Sequence, residues 1–326
     1  MVENSIDKLE TQSEDSKIKG GIDRRGFLEC MAWAGAGMAW TVIGGIPQSQ
    51  AFGQTKSLKG GKGDFSFVQI SDSHIGFAKA ANNNVVGTLQ ESVKRINDLA
   101  FTPDFLLHTG DLTHGTKPAE FDTLEQVLKG LKVQQKFYVP GEHDVQTDHG
   151  TSYMERFGKG TKGRGWSSFN HKGVHFIGLV NVLEFDGAGL GVLGAEQLAW
   201  LEQDVKGLAS SVPIVVFAHV PLWSVYPDWG WGTKESEQAL GYLKRFGSVT
   251  VLNGHIHQTM QKIEGNVTFH TARSTAFPQP EPGKAAGPGP MIVPAERLKS
   301  VLGITQVHYI QKGHHLAITD SNLGSE

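Results

Sequence analysis

The chain has 326 residues, 39% hydrophobic and 19% charged, which is enough apolar material for the core of one large domain or two small ones and argues against a disordered chain. Its 30 basic residues stand against 33 acidic ones, a formal charge of -3. No global field therefore draws it to nucleic acid or to an anionic membrane, and any charge on a ligand must be met locally.

At the N-terminus Arg24 and Arg25 precede Phe27 and Leu28. An uncharged run from Met31 to Ile46 follows, and then Pro47 and the small-residue pattern Ser49-Gln50-Ala51. The apolar run falls short of the roughly 20 residues that cross a bilayer, which favours a cleaved signal over a membrane anchor. Arginine pair, apolar run and cleavage pattern in that order resemble a twin-arginine export signal. The resemblance implies that residues 1–51 are removed after Ala51, that the twin-arginine translocation machinery is a partner, and that the mature protein is periplasmic or secreted with no membrane anchor. The single cysteine, Cys30, lies inside this segment, so the mature chain forms no disulfide. Residues 52–64, rich in Gly and Lys from Leu58 to Asp64, read as a linker to one domain over 65–326.

Phe65 to Ser71 alternates and ends in a polar turn, which predicts a strand. Val86 to Ala100 has helical spacing, Asp104 to Gly110 is a second buried strand, Pro118 opens a helix to about Gly130, and Gln135 to Gly141 is a third strand. The second half predicts strands at Trp166 to Asn170 and Val174 to Val180, a helix from Gly194 to about Val205, a strand from Pro213 to His219, a helix around Glu235 to Phe246 and a strand from Val249 to His255. Short strands near Met260 to Ile263, Val267 to Thr271, Thr305 to Ile310 and Leu316 to Thr319 finish the chain. Strands alternating with helices imply parallel pairing under helical cover. Two such half-sheets face to face make a four-layer α/β/β/α sandwich of two mixed sheets with helices outside. Phe277 to Pro294 is too rich in Pro and Gly for regular structure and reads as a surface loop or a disordered linker.

Five strands end in residues able to hold metal: Ser71 to His74, Thr109 to His114, Gly141 to Asp144, Ala218 to Pro221 and Asn253 to His257. One Asp-x-His at a strand end is usually an Asx turn beside a hydrogen-bonded histidine. Five in series, at the carboxyl ends where α/β sheets build their sites, point to convergence on one centre.

The order Asp-x-His, Gly-Asp, Gly-x-His-Asp, His, Gly-His-x-His resembles the calcineurin-like metallophosphoesterases over about Phe65 to His270, and "GDLTH" with Gly115, Glu120 and Phe121 is similar to their class III cyclic-nucleotide and glycerophosphodiester phosphodiesterase branch. The resemblance implies a two-metal site in which Asp72, His74 and His257 hold one ion, Glu142, His219 and His255 hold the other, and Asp111 bridges. Carboxylates with imidazoles suit Mn, Fe, Zn or Co, divalent or trivalent. Two such ions lower the pKa of a bridging water for in-line attack on phosphorus. His143 then protonates the leaving oxygen or stabilises the phosphoryl charge, oriented by Asp72 or Asp144.

The family has Asn where this chain has Glu142. As a ligand Glu142 adds a third carboxylate to Asp72 and Asp111, favouring harder or trivalent metal and monoanionic diesters over dianionic monoesters; as a residue that misses the metal it leaves the second site weak. His114 stands where purple acid phosphatases place a metal-bound Tyr, so no tyrosinate-to-iron colour is expected; it is either a donor behind the ligands or a solvated turn residue. Trp223, Tyr226, Trp229 and Trp231 either stack an aromatic group of a substrate or pack beneath a loop. Gly313 to His315 reads as surface. The expected activity is an exported, metal-dependent hydrolysis of a small phosphate ester, a diester first, with no stable nucleic-acid binding. A phosphate-scavenging monoesterase and a non-hydrolytic metal- or nucleotide-binding protein are the alternatives.

Overall fold

Strand β3 (Phe65–Ile70) buries both faces: Phe65 and Phe67 point into one apolar core, Val68 and Ile70 into another. The period of two recurs in β4 (Phe105–Thr109), where Phe105 and Leu107 oppose Leu106, and in β8 (Ile214–Phe217), where Val215 and Phe217 oppose Ile214 and Val216. Strands apolar on both sides belong inside a layered structure with cover on each face.

The structure, a computed structural model, describes residues 38–43, 46–51, 63–311 and 315–324. Strands β1 (Met38–Ile43) and β2 (Ile46–Ala51) form a two-stranded sheet by themselves. Arg24, Arg25 and the rest of residues 1–37 of the expected export signal, most of the linker, Gly313 and His314 lie outside the described residues.

Two mixed sheets follow. The first contains β3, β4, β5 (Gln135–Val139), β12 (Gly303–Ile310) and β13 (His315–Asn322) in the order β13-β12-β3-β4-β5, parallel from β3 to β5 and antiparallel on either side of β12. The second contains β6 (Ser167–His171), β7 (Val174–Gly178), β8, β9 (Val249–Asn253), β10 (Gln261–Glu264) and β11 (Val267–Thr271), with order β10-β11-β9-β8-β7-β6 and antiparallel pairing only at the two edges.

Helices α1 (Val85–Asn97) and α2 (Pro118–Leu128) pack Leu89, Ile96, Phe121 and Leu124 on the outer face of the first sheet. The Asn84 side chain caps α1 by accepting from the Gly87 N–H, and Pro118 occupies the first turn of α2, where its missing N–H costs nothing. Helices α4 (Ala195–Lys206) and α5 (Ser236–Leu243) pack Leu198, Leu201 and Leu243 on the second sheet. Between the sheets, Phe67 stacks on Phe105 at 4.9 Å while Phe176 meets Phe67 edge-on at 5.5 Å. The result is the four-layer α/β/β/α sandwich. Polar links also cross the seam: Gln69 Nε2 on β3 donates to Asn253 O on β9 at 3.1 Å, and His270 Nε2 on β11 lies 3.1 Å from Asp320 Oδ2 on β13, whose Oδ1 accepts from Thr305 Oγ1 at 2.7 Å.

Two short helices, α3 (Thr151–Phe157) and α6 (Ala295–Val301), were not expected; at seven residues each they display too little periodicity to be read. The Pro/Gly-rich segment also departs from a surface loop at its start, because Phe277 and Gln279 are buried.

Candidate metal centre

The turns after β3, β4, β5, β8 and β9 carry Asp72 and His74, Asp111, Glu142 and His143, His219, and His255 and His257 respectively. Five of these residues have left-handed backbones: Asp72 (φ 54), His74 (φ 42), Asp111 (φ 51), His255 (φ 70) and His257 (φ 53). Asp and His tolerate that region better than bulky residues, and such strain concentrates at functional sites. Glycine makes the turns close: a Cβ on Gly141 would lie 2.1 Å from Asp111 Oδ1, and one on Gly254 would lie 2.0 Å from Ser71 Oγ and 2.7 Å from Asp72 Oδ2.

The expected ligands meet in two groups, Asp72 with His74 and His257, and Glu142 with His219 and His255. In the first, His257 Nε2 is 3.2 Å from Asp72 Oδ1 and 3.2 Å from His74 Nε2. In the second, Glu142 Oε2 is 2.9 Å from His219 Nε2 and Glu142 Oε1 is 3.1 Å from His255 Nδ1. Asp111 lies between them, its Oδ2 3.4 Å from His74 Nε2 and 3.5 Å from His219 Nε2.

Backbone carbonyls set the imidazole protons. His257 Nδ1 donates to Phe277 O at 2.6 Å and His219 Nδ1 donates to Thr109 O at 2.7 Å, leaving both Nε2 lone pairs aimed into the centre. The donors also fit a metal by a test of geometry. Glu142 Oε2, His219 Nε2 and His255 Nδ1 are buried and close together, yet none makes an aligned hydrogen bond. Atoms that crowd without facing each other share a common target, and one carboxylate with two imidazoles is a donor set for a borderline transition metal.

Electrostatics bind the groups together. Burial would raise the Glu142 carboxyl, but the imidazoles of His255 and His219 hold it well below its usual range. Burial would lower His219, but the carboxylates of Asp111 and Glu142 raise it well above its usual value. His143 is likewise raised by Asp111 and Glu142 against burial.

His143 comes to the edge of the centre, but the carboxylates expected to orient it do not touch its ring. Its Nδ1 donates to the His114 carbonyl at 2.9 Å. Asp144 points the other way within a 3-10 turn over Glu142–Asp144, accepting from the N–H groups of Leu112 (3.0 Å), Thr113 (2.8 Å) and Gly141 (2.9 Å) and from Thr113 Oγ1 (2.9 Å). It fastens two ligand turns together and has no contact through which to orient His143. Burial, then the Asp111 charge, pushes its carboxyl up to about 7. Asp72 accepts instead from the His255 N–H, at 3.1 and 3.2 Å.

His114 is no solvated turn residue: its ring stacks on His143 at 4.5 Å, and burial followed by the neighbouring His143 pushes its pKa down to about 4. Of the tryptophan segment, Trp223 and Trp231 follow the packing reading, while Tyr226 and Trp229 are half-buried and meet each other edge to face at 5.2 Å. Trp231 is fully buried, and Trp223 tilts against Phe269 at 5.0 Å on the helix side of the second sheet. Residues missed from the sequence include Phe277, whose ring stacks on His74 at 4.8 Å, and Gln279, whose Nε2 donates to His255 O at 3.0 Å. Both lie in text that composition alone marks as loop.

Comparison with known proteins agrees with this geometry. The calcineurin-like phosphoesterase family model matches residues 65–259. A 3',5'-cyclic-nucleotide phosphodiesterase of Nostoc sp. is 28% identical over 218 residues, 65% of this chain and 79% of its own. A serine/threonine-protein phosphatase of Danio rerio is 27% identical over 60% of this chain and 71% of its own. A solved dimetal phosphatase from Danio rerio shares the fold with TM-score 0.60 at 13% identity, covering 80% of this chain and 97% of its own. With the match over Phe65 to Thr259 and donors gathered at five strand ends, the chain belongs to the calcineurin-like phosphoesterases.

Proposed function

We propose that the chain hydrolyses small phosphodiesters at a centre of two ions, one on Asp72, His74 and His257, the other on Glu142, His219 and His255, with Asp111 shared. When bound, such ions (Mn, Fe, Zn or Co) activate water and neutralise phosphoryl oxygens. The observation that carries the reading is the crowding of Glu142 Oε2, His219 Nε2 and His255 Nδ1 without hydrogen-bond alignment. His143 keeps its Nδ1 proton on the His114 carbonyl, so its Nε2 is the atom that meets the leaving oxygen.

Glu142 supports a diester over a monoester. Its carboxylate adds negative charge beside Asp72 and Asp111, which repels a dianionic monoester more than a monoanionic diester. Similarity to a cyclic-nucleotide phosphodiesterase agrees. Similarity to a protein phosphatase favours a monoesterase as the second reading. Metal analysis of the purified protein, followed by rates on bis(4-nitrophenyl) phosphate and 4-nitrophenyl phosphate, tests both. A faster diester rate at two metals per chain supports the first reading, and a faster monoester rate replaces it with the second.

We also propose that the protein is exported through the twin-arginine route, on the arginine pair ahead of Phe27 and Leu28. Arg24→Lys together with Arg25→Lys should hold the precursor in the cytoplasm. Normal periplasmic delivery of that variant would end this reading.

A further inference from the structure

His74 is held differently from the other two Nε2 donors. Thr109 O and Phe277 O take the Nδ1 protons of His219 and His257, and a backbone carbonyl can only accept. His74 Nδ1 faces a side chain instead, His114 Nδ1, at 3.3 Å. Its Nε2 is turned to Asp111 and His257. A metal-binding Nε2 must present its lone pair, so the His74 proton sits on Nδ1 and His114 Nδ1 must receive it. That leaves the His114 proton on Nε2.

His114 is firmly placed for this task. Its ring lies between the face of His143, at 4.5 Å and 19°, and the edge of Phe77, at 5.1 Å and 89°. Its N–H donates to Ile75 O at 2.9 Å, and its carbonyl accepts from His143 Nδ1 and Gln146 Nε2, each at 2.9 Å. One residue thus holds two imidazoles of the centre, His74 by its ring and His143 by its backbone.

We propose that His114 is a positioning residue that fixes the proton and ring orientation of His74 and thereby sets the affinity of the ion on Asp72, His74 and His257. The proposal rests on the reading of His74 as a ligand. It predicts that the ring nitrogen of His114, not its bulk, is what the first ion needs.

Two substitutions separate the roles. His114→Phe keeps an aromatic ring between His143 and Phe77 and removes the acceptor. His114→Asn keeps an acceptor oxygen at about the place of Nδ1 and removes the ring stack. Both leave the carbonyl that holds His143. Mn or Zn affinities are measured by competition with a chromophoric chelator on the metal-free protein, beside wild type and His74→Ala. Loss of a second-layer partner typically weakens metal binding about 10- to 100-fold, so His114→Phe should weaken one of the two equivalents by that factor, with the other unchanged, and His114→Asn should bind nearly as wild type. Equal weakening by both variants, or none by His114→Phe, overturns the proposal. So does a third equivalent in wild type that both variants lose, because His74, His114 and His143 would then hold an ion of their own. If His74→Ala keeps both equivalents, the ligand reading itself fails, and that result is visible apart from any effect of His114.

Discussion

His257 donates its Nδ1 proton to the carbonyl of Phe277 at 2.6 Å, so a residue 20 positions downstream of the Gly-His-x-His turn decides which nitrogen that turn offers to a metal. The Phe277 ring completes the arrangement by stacking on His74 at 4.8 Å and tilting against His257 at 4.7 Å. Phe277→Ala should cost about 3 kcal/mol of stability from the cavity it opens. It should also weaken metal binding, because the strap that carries the carbonyl loses its anchor. Urea unfolding and chelator competition on the same protein check both effects, and Phe277→Leu should recover most of each.

Asp111 stands between the two ligand groups and also accepts the His143 N–H through Oδ1 at 2.9 Å. Asp111→Asn removes the shared charge and keeps the shape. Hydrolysis should fall by at least about a thousandfold, a transition-state loss of about 4 kcal/mol. The circular dichroism spectrum should stay that of wild type. Retained turnover at full metal content would remove Asp111 from the shared position.

Glu142→Asn removes one negative charge from the centre. A charge about 5 Å away is worth roughly 3 kcal/mol at an effective dielectric of 20 before solvent reduces it. The ratio of aryl monoester to matching diester rates should rise in this variant at full metal occupancy. Steady-state rates and metal content must come from one preparation. An unchanged ratio at full occupancy would show that Glu142 does not reach the second ion and does not discriminate between the two substrates.

The link of His270 to Asp320 gives a pH-dependent term in stability. Burial would raise Asp320, yet the His270 imidazole and the bond from Thr305 leave its folded pKa below the usual value. A carboxyl depressed on folding contributes above its unfolded pKa, about 4, and that contribution disappears as pH falls through the folded value. Asp320→Ala, which strands a buried partner, should therefore cost about 3 kcal/mol at pH 7, and the gap to wild type should narrow below about pH 4. Urea titrations at pH 7 and at pH 3.5 measure the difference.

The candidate ligands were legible because their side chains carry the chemistry: Asp72, Asp111 and the four histidines stand at the ends of strands whose alternation announces them, and the structure gathers them. What orients them was not legible, since Thr109 and Phe277 act through carbonyls that every residue has. Neighbourhood in the chain misled at Asp144, where the 3-10 turn sends adjacent side chains in opposite directions. Layer order was readable from strands apolar on both faces, while α3 and α6 were too short to show a period.

The donors come from both halves of the sandwich: Asp72, His74, Asp111 and Glu142 from turns of the first sheet, His219, His255 and His257 from turns of the second. An ion held by these donors would therefore be a rivet between two plates otherwise joined mainly by aromatic rings. Pulling the plates apart must first strip a metal of its ligands. Loading should then slow hydrogen exchange most along the seam between β3, β4, β8 and β9, and should protect the chain from proteases that need the plates to part, by an amount that grows with the logarithm of free metal concentration.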